Sequence, residues 1–317
     1  IDLGFNHKSG LFVNGGYTRN NHGGWQGDLT GREKRWHPKD QALMNGMFGF
    51  QNRNMNVWYR LDFLDEKIFG PNNGSELQPE KVSDKDFLTK RYTHQLQSDW
   101  KLDNRLDVHA ALSYQDYKRR TRTTESDLST GEKWLSSAEA SQDITQYKAW
   151  IARATVAWNI APEFSVQPGV EYQWTQGEGG RIDGTPKVSD LAFFLSAEYK
   201  PWEWLSLRPG VRTFIVADYD APIAIPSVLT KFKLTKHMDL RLSYAYGFRS
   251  PTLQELYFSF HNDNHDIDGN PDLKAEYSHN ITGSVAYRVL HSEKIHLTTT
   301  LLSLIHISEP TRRVVIS

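Results

Sequence analysis

The sequence predicts an all-β chain, an antiparallel transmembrane β-barrel of which about fourteen strands lie within these 317 residues. Three features predict it. Apolar and polar residues alternate with period two, the alternating segments are longer than soluble strands, and the connections between them are alternately short and long. No stretch of about 18 apolar residues occurs, which excludes a helical membrane protein. A mean hydropathy of -0.61 does not exclude a barrel, because its strands average wet and greasy faces. Cysteine is absent, removing disulfides, thiolate metal sites and cysteine nucleophiles together. Lys and Arg total 37 against 38 for Asp and Glu, so the net charge of -1 gives no reason to expect nucleic acid as a partner.

In chain order, a first strand over Ile1–Lys8 starts in mid-pattern with neither Met nor a signal sequence before it. From Arg105 to Gln115 the even positions Leu106, Val108, Ala110, Leu112 and Tyr114 are apolar or aromatic, and the odd positions are mostly polar. Successive strand side chains point to opposite faces, so this is strand and not helix. The same reading holds for Trp150 to Ile160, Phe164 to Trp174, Leu205 to Val211 and Met238 to Phe248. Most segments run roughly 10–16 residues, against about five or six in soluble strands and about 9–11 needed to cross a membrane. Trp150, Trp158, Phe164, Trp174 and Tyr244 stand near the ends of apolar faces, as interfacial aromatic belts do. Short turns are expected at Ser9-Gly10, 52–54, Asp103-Asn104, 161–163, 201–204, 235–237 and 291–294. Long polar loops are expected at 21–40, 69–87, 123–143, 177–188 and 249–274. Loops sorted by side describe an outer-membrane barrel with periplasmic turns and extracellular loops.

The stretch 247–276 carries a more specific signal. Phe248, Arg249, Ser250 and Pro251 read FRSP, and Asn270, Pro271, Asp272 and Leu273 read NPDL. The pair resembles the FRAP-like and NPNL-like boxes of TonB-dependent outer-membrane receptors, with Ser250 in place of the commoner Ala. The flanking TLQELYF and LKAE resemble receptors of the Bacteroidetes lineage. The resemblance extends over residues 1–301. It implies a 22-stranded barrel filled by an N-terminal plug, in a Gram-negative outer membrane, importing a scarce nutrient (haem as the first expectation, or a ferric siderophore or cobalamin) with energy delivered by TonB through the plug. Plug and final strands are not in this sequence, so the chain is expected to be a fragment. The run at 302–312, LSLIHISEPTR, resembles a translated transposase-type sequencing adapter, and 302–317 is set aside as a non-native tail.

Candidate binding residues follow. His261 and His265 lie between the boxes, where haem receptors of this family carry a histidine, and a neutral imidazole is a good axial ligand for haem iron. Asn264, Asp266 and Asp268 with Gly269 follow the D-x-D-x-D-G spacing of a calcium loop, with the closing Glu276 one position late. Lys118, Arg119, Arg120 and Arg122 crowd one strand beside a long loop. At the lumen mouth they would draw anionic siderophores or haem propionates, and on the outer rim they would pair with lipopolysaccharide phosphates. Arg208, Arg212 and Arg241 are expected to face a wet lumen. The boxes themselves read as loop architecture, with Pro251 and Pro271 ending strand geometry and Thr252–Tyr257 forming a short helical turn. Hydrolase and nucleotide-binding motifs are absent, so no catalytic role and no required cofactor is expected. A passive pore or adhesion barrel without a plug is the alternative reading.

Overall fold

The computed structural model describes residues 1–138, 141–216, 221–262, 265–288 and 296–307. Fourteen strands follow one another in a single antiparallel meander, in chain order. They are β1 (Asp2–Asn6), β2 (Leu11–His22), β3 (Lys39–Gln51), β4 (Met55–Gly70), β5 (Lys81–Lys101), β6 (Leu106–Asp127), β8 (Ile144–Ala161), β9 (Phe164–Glu178), β10 (Lys187–Trp202), β11 (Leu205–Val216), β12 (Ile225–Lys233), β13 (Met238–Arg249), β16 (Glu276–Arg288) and β17 (His296–Ile307). A short β7 (Lys133–Leu135) pairs with the top of β6. One helix, α1 (Leu253–Tyr257), and a two-stranded hairpin, β14 (Ser259–Asn262) with β15 (His265–Asp268), sit in the connection between β13 and β16. Each pair of neighbours in the meander is antiparallel, so tight turns gather at one end and long connections at the other. The sheet is open, with β1 and β17 at its two edges.

Several of the expected boundaries shift: β5 already starts at Lys81, inside the expected 69–87 loop, and β6 runs to Asp127, inside the expected 123–143 loop. The first strand is shorter than Ile1–Lys8, because the His7 carbonyl is taken by the turn that brings Gly10 back at 2.9 Å. The last strand does not stop at Leu301. It pairs with β16 as far as Tyr277↔Ile307, since Leu302, Leu304, Ile305 and Ile307, with no Pro or Gly among 302–307, let the ladder continue. The expected 291–294 turn and residues 308–317 lie outside the described residues.

The two faces of the sheet differ as the alternation requires. On the apolar face Leu96, Leu112, Trp150, Trp158, Phe193 and Leu195 are exposed, the arrangement of side chains that meet lipid. Aromatic rings form a row across this face, with Tyr59–His94 centroids 6.1 Å apart, His94–Tyr114 5.9 Å and Tyr114–Trp150 4.4 Å. A second group near the tight turns includes Trp158 and the pair Phe164–Tyr199 at 6.1 Å. Along β8, Trp150 and Trp158 are eight residues apart, about 26 Å at ~3.3 Å per residue. For a strand tilted about 40° that spans about 20 Å of depth, most of the ~25 Å apolar band that aromatic girdles bound. The other face is ionic. Glu171 bonds Arg212 at 2.6 Å and lies 3.6 Å from Arg153, and Glu198 joins Lys200 at 3.1 Å and Arg208 at 3.0 Å. Arg208 and Arg241 line a cavity of about 1180 Å³ at the tight-turn end. These residues form the wall of a wet lumen.

Candidate functional site

The site begins with β6, which at 22 residues is about twice the length a membrane crossing needs. Its upper half, with those of β5 and β8, rises beyond the aromatic row and carries the long connections. On the lumen face of this extension a cavity of about 940 Å³ opens, lined among others by Lys85, Phe87, Arg119, Thr123, Tyr147 and Arg181. The Arg119 guanidinium lies 4.4 Å from the Phe87 ring, and that of Arg181 lies 4.3 Å from Phe260. Each cation thus lies over an aromatic ring on the cavity side of the wall. Asp143 also lines the cavity, but its carboxylate accepts from the Gly180 amide at 2.6 Å and the Thr145 hydroxyl at 2.8 Å. Thr123 is 3 % exposed, and its hydroxyl has no hydrogen-bond partner among the described residues. An orphaned buried hydroxyl on a cavity wall is an available donor for a bound ligand or water.

The roof over one side of this cavity is built by the two boxes. Thr252 caps α1, its hydroxyl accepting from the Glu255 amide at 3.2 Å while the Thr252 amide donates to the Glu255 carboxylate at 2.8 Å. Arg249 then grips two carboxylates with its fork. It donates to Glu276 at 2.9 and 2.8 Å and to Glu255 at 3.0 and 3.1 Å, tying the end of β13 to α1 and to the start of β16. This pairing holds the Glu255 carboxyl down to about 2. The Phe248 ring lies tilted against Phe214, with centroids 4.9 Å apart, and against Tyr277 at 6.1 Å, and Pro251 is buried. From the second box, the Asn270 amide donates to the Glu255 carbonyl at 3.0 Å, its side chain accepts from the Asp272 amide at 2.9 Å, and its carbonyl accepts from the Leu273 amide at 3.2 Å. A Cβ on Gly269 would stand 2.7 Å from the Leu256 carbonyl carbon, so the turn into Pro271 needs glycine there to pass the helix. Leu253, Leu256, Ile182 and Ala275 form a small buried core that locks this connection onto the loop after β9. Gln254 donates to the Tyr147 hydroxyl at 2.8 Å, closing the roof onto β8. Phe248, Arg249, Pro251 and Asn270 thus hold this connection together, and Pro271 and Leu273 stand in the turn that leads to β16.

The other expected residues are sorted in ways the sequence did not show. The basic run is divided by strand alternation. Arg119 faces the cavity, while Lys118, Arg120 and Arg122 share the opposite face. His261 reaches the cavity rim, but both of its ring nitrogens are engaged. Nδ1 meets the Asp266 carboxylate at very short range, and Nε2 lies 3.1 Å from Asp268 and 3.1 Å from the Ser259 hydroxyl. The bond to Asp266 and the charge of Asp268 raise the imidazole above its ordinary 6.5. The protonated ring has no lone pair for a metal, so a cation would have to replace its protons. Ligand atoms of His261, Asp266 and Asp268 all lie within 4.8 Å of one another. Asp266 and Asp268 fall on a strand instead of a curved loop, and imidazole with two carboxylates suits a transition metal better than calcium. Asn264, and the side chain of His265, lie outside the described residues. Arg181, Phe87, Thr123 and Tyr147 were not singled out from the sequence. They come from four separate segments, and no local pattern marks them.

Known proteins give the context. No curated protein sequence matches the chain. Among solved structures, the siderophore receptor PirA from Pseudomonas aeruginosa superposes with a TM-score of 0.70 at 12% identity, over 96% of this chain and 51% of that one. A variant of the ferric enterobactin receptor PfeA from Pseudomonas aeruginosa gives 0.67 at 13% identity, over 95% and 49%. The outer membrane transporter YddB from Escherichia coli gives 0.68 at 12% identity, over 91% and 44%. At these identities the likeness is one of fold, and the chain spans about half the length of these structures. The profile described as "TonB dependent receptor-like, beta-barrel" matches residues 9–301, and with that coverage the chain belongs to the TonB-dependent receptor β-barrel family.

Proposed function

We propose that the chain is barrel wall of a Gram-negative outer-membrane receptor that captures a scarce nutrient at its outer mouth and imports it with energy delivered by TonB through a plug. Its work is binding and gated passage, with no bond broken. The cavity on the long-loop side carries the proposal, because Lys85, Arg119 and Arg181 face it while the carboxylate of Asp143 is already occupied. Two cations stacked on aromatic rings favour a ligand that is anionic and flat-armed, which describes a ferric siderophore. That PirA and PfeA are named for siderophore and ferric enterobactin supports the same class. Haem is the second reading. Its propionates suit Arg119 and Arg181, but His261 would bind iron only after surrendering Asp268 and Ser259. Cobalamin brings no comparable negative charge.

The test is a fluorescence titration of the full-length receptor carrying this barrel with a ferric catecholate and, separately, with haem. Arg119→Ala and Arg181→Ala should each weaken the catecholate by about tenfold or more, the loss of one charge-assisted contact. His261→Ala should leave it within about twofold, a difference too small to represent a lost hydrogen bond. Unchanged affinity in both arginine variants, with the barrel folded, rejects this cavity as the site. A Soret shift abolished by His261→Ala moves haem to the front.

A further inference from the structure

Strand alternation turns Lys118, Arg120 and Arg122 away from the cavity, so a nutrient bound there cannot explain them. On the lipid-side face of β6 the residues above Tyr114 are Asp116, Lys118, Arg120 and Arg122. Some of these charges are matched. Arg122 bonds Asp86 at 2.5 Å, and Lys67 joins the same carboxylate at 3.2 Å. Asp116 accepts from Gln146 at 2.8 Å and stands opposite Lys148. The remaining cations are not matched in this way. Lys118 has Lys90 directly opposite it on β5 and Gln146 on β8, and Arg120 lies between Leu88 and Ile144. Lys90 has Asp65 on its far side. Lys90, Lys118 and Arg120 are therefore an exposed triplet with one carboxylate among their cross-strand neighbours. Like charges placed directly opposite destabilise a sheet unless something anionic lies between them.

Their height identifies the anion. Tyr114 and Trp150, 4.4 Å apart, mark the upper aromatic row. Lys118 lies four residues above Tyr114, about 13 Å along the strand and about 10 Å in height for a tilted strand. The polar headgroup layer extends roughly 5–7 Å beyond the hydrocarbon on each side. Long basic side chains bend back toward such a layer. The charged ends of Lys90 and Lys118, which face each other at this height, therefore meet the zone of headgroup phosphates on the outside of the wall, and Arg120 stands two residues, about 5 Å in height, above them.

We infer that Lys90, Lys118 and Arg120 form a docking site for the phosphates of an outer-leaflet glycolipid of the lipopolysaccharide class. The site is separate from the nutrient cavity, with the sheet between them. To test it, the full-length receptor is stripped of lipid in mild detergent and titrated with purified lipopolysaccharide, with native mass spectrometry reading the bound lipid. The combined Lys90→Gln, Lys118→Gln, Arg120→Gln variant should bind at least about tenfold more weakly, since each basic residue near an anionic lipid surface contributes about fivefold. A lumen-face control, Arg208→Gln with Arg241→Gln, should bind as the parent does. Heat-modified gel migration confirms that every variant is folded, and Lys118→Gln alone provides a milder change. Parent-like binding by the folded triple variant overturns the proposal. So does displacement of the lipid by millimolar inorganic phosphate, which would make this a free-phosphate site, or an equal loss in the lumen-face control.

Discussion

Arg249→Ala should release the roof of the nutrient cavity without unfolding the barrel. Arg249 makes four hydrogen bonds to Glu255 and Glu276, which hold three chain segments together at one point. The drop of the Glu255 carboxyl from an ordinary 4.5 to about 2 corresponds to roughly 3 kcal/mol of interaction. The arginine side chain is 49% exposed, and solvent screening reduces the usable part to about 1–1.5 kcal/mol. That is about a tenfold increase in opening of the connection. Hydrogen exchange reads it directly, at the Leu256 amide that donates to Thr252 and the Phe258 amide that donates to Gln254. Both should exchange about tenfold faster in Arg249→Ala, while amides of β8 and β9 stay as they were. Arg249→Lys keeps the charge but loses the fork, and should fall between the two. Because the Glu255 carboxyl is depressed in the folded state, the clamp is fully present above about 4.5 and fails as pH falls toward about 2. Unaltered exchange of both amides in Arg249→Ala would falsify the clamp, and equal behaviour of Ala and Lys would show that charge alone contributes nothing and the fork carries the clamp.

Two further expectations test the faces and the hairpin. Ala154 lies midway between Trp150 and Trp158 on the lipid-side face, so Ala154→Arg should cost about 2–4 kcal/mol in urea unfolding from vesicles, although the adjacent native Arg153 is tolerated on the lumen face. A cost below about 0.5 kcal/mol, the scale of a neutral surface change, would reverse the assignment of faces. The raised His261 imidazole stabilises the β14–β15 hairpin fully below about 6.5, and that contribution is lost as pH rises through its raised folded value. Exchange at the hairpin should therefore accelerate in mildly alkaline buffer, and His261→Gln should abolish that pH dependence. A pH profile that is the same in both proteins removes the role given to Asp266 and Asp268.

The strands were legible because a sheet with lipid on one face and water on the other imposes period two on every residue it contains. Leu106 to Tyr114 and Trp150 to Ile160 could be read residue by residue, and loop lengths already separated the two rims. The boxes were legible for a different reason: they act within one connection, where Thr252 with Glu255 and Gly269 with Asn270 are close in sequence as well as in space. The extent of the last strand was not legible. A ladder accepts a largely apolar segment free of Pro and Gly, and 302–307 is one.

The sequence by itself determined the class of fold, the sorting of turns and loops, and the residues that build the roof. Only the tertiary structure decided what each face of the strand extensions meets. Lys118 and Arg119 are neighbours in the chain, yet they stand on opposite sides of a wall that separates lipid from lumen. It also decided that His261 meets two carboxylates, and that Phe87, Thr123, Tyr147 and Arg181 share a cavity. Those contacts join strands and loops far apart along the chain. Local propensity cannot encode them, because register and barrel curvature bring them together.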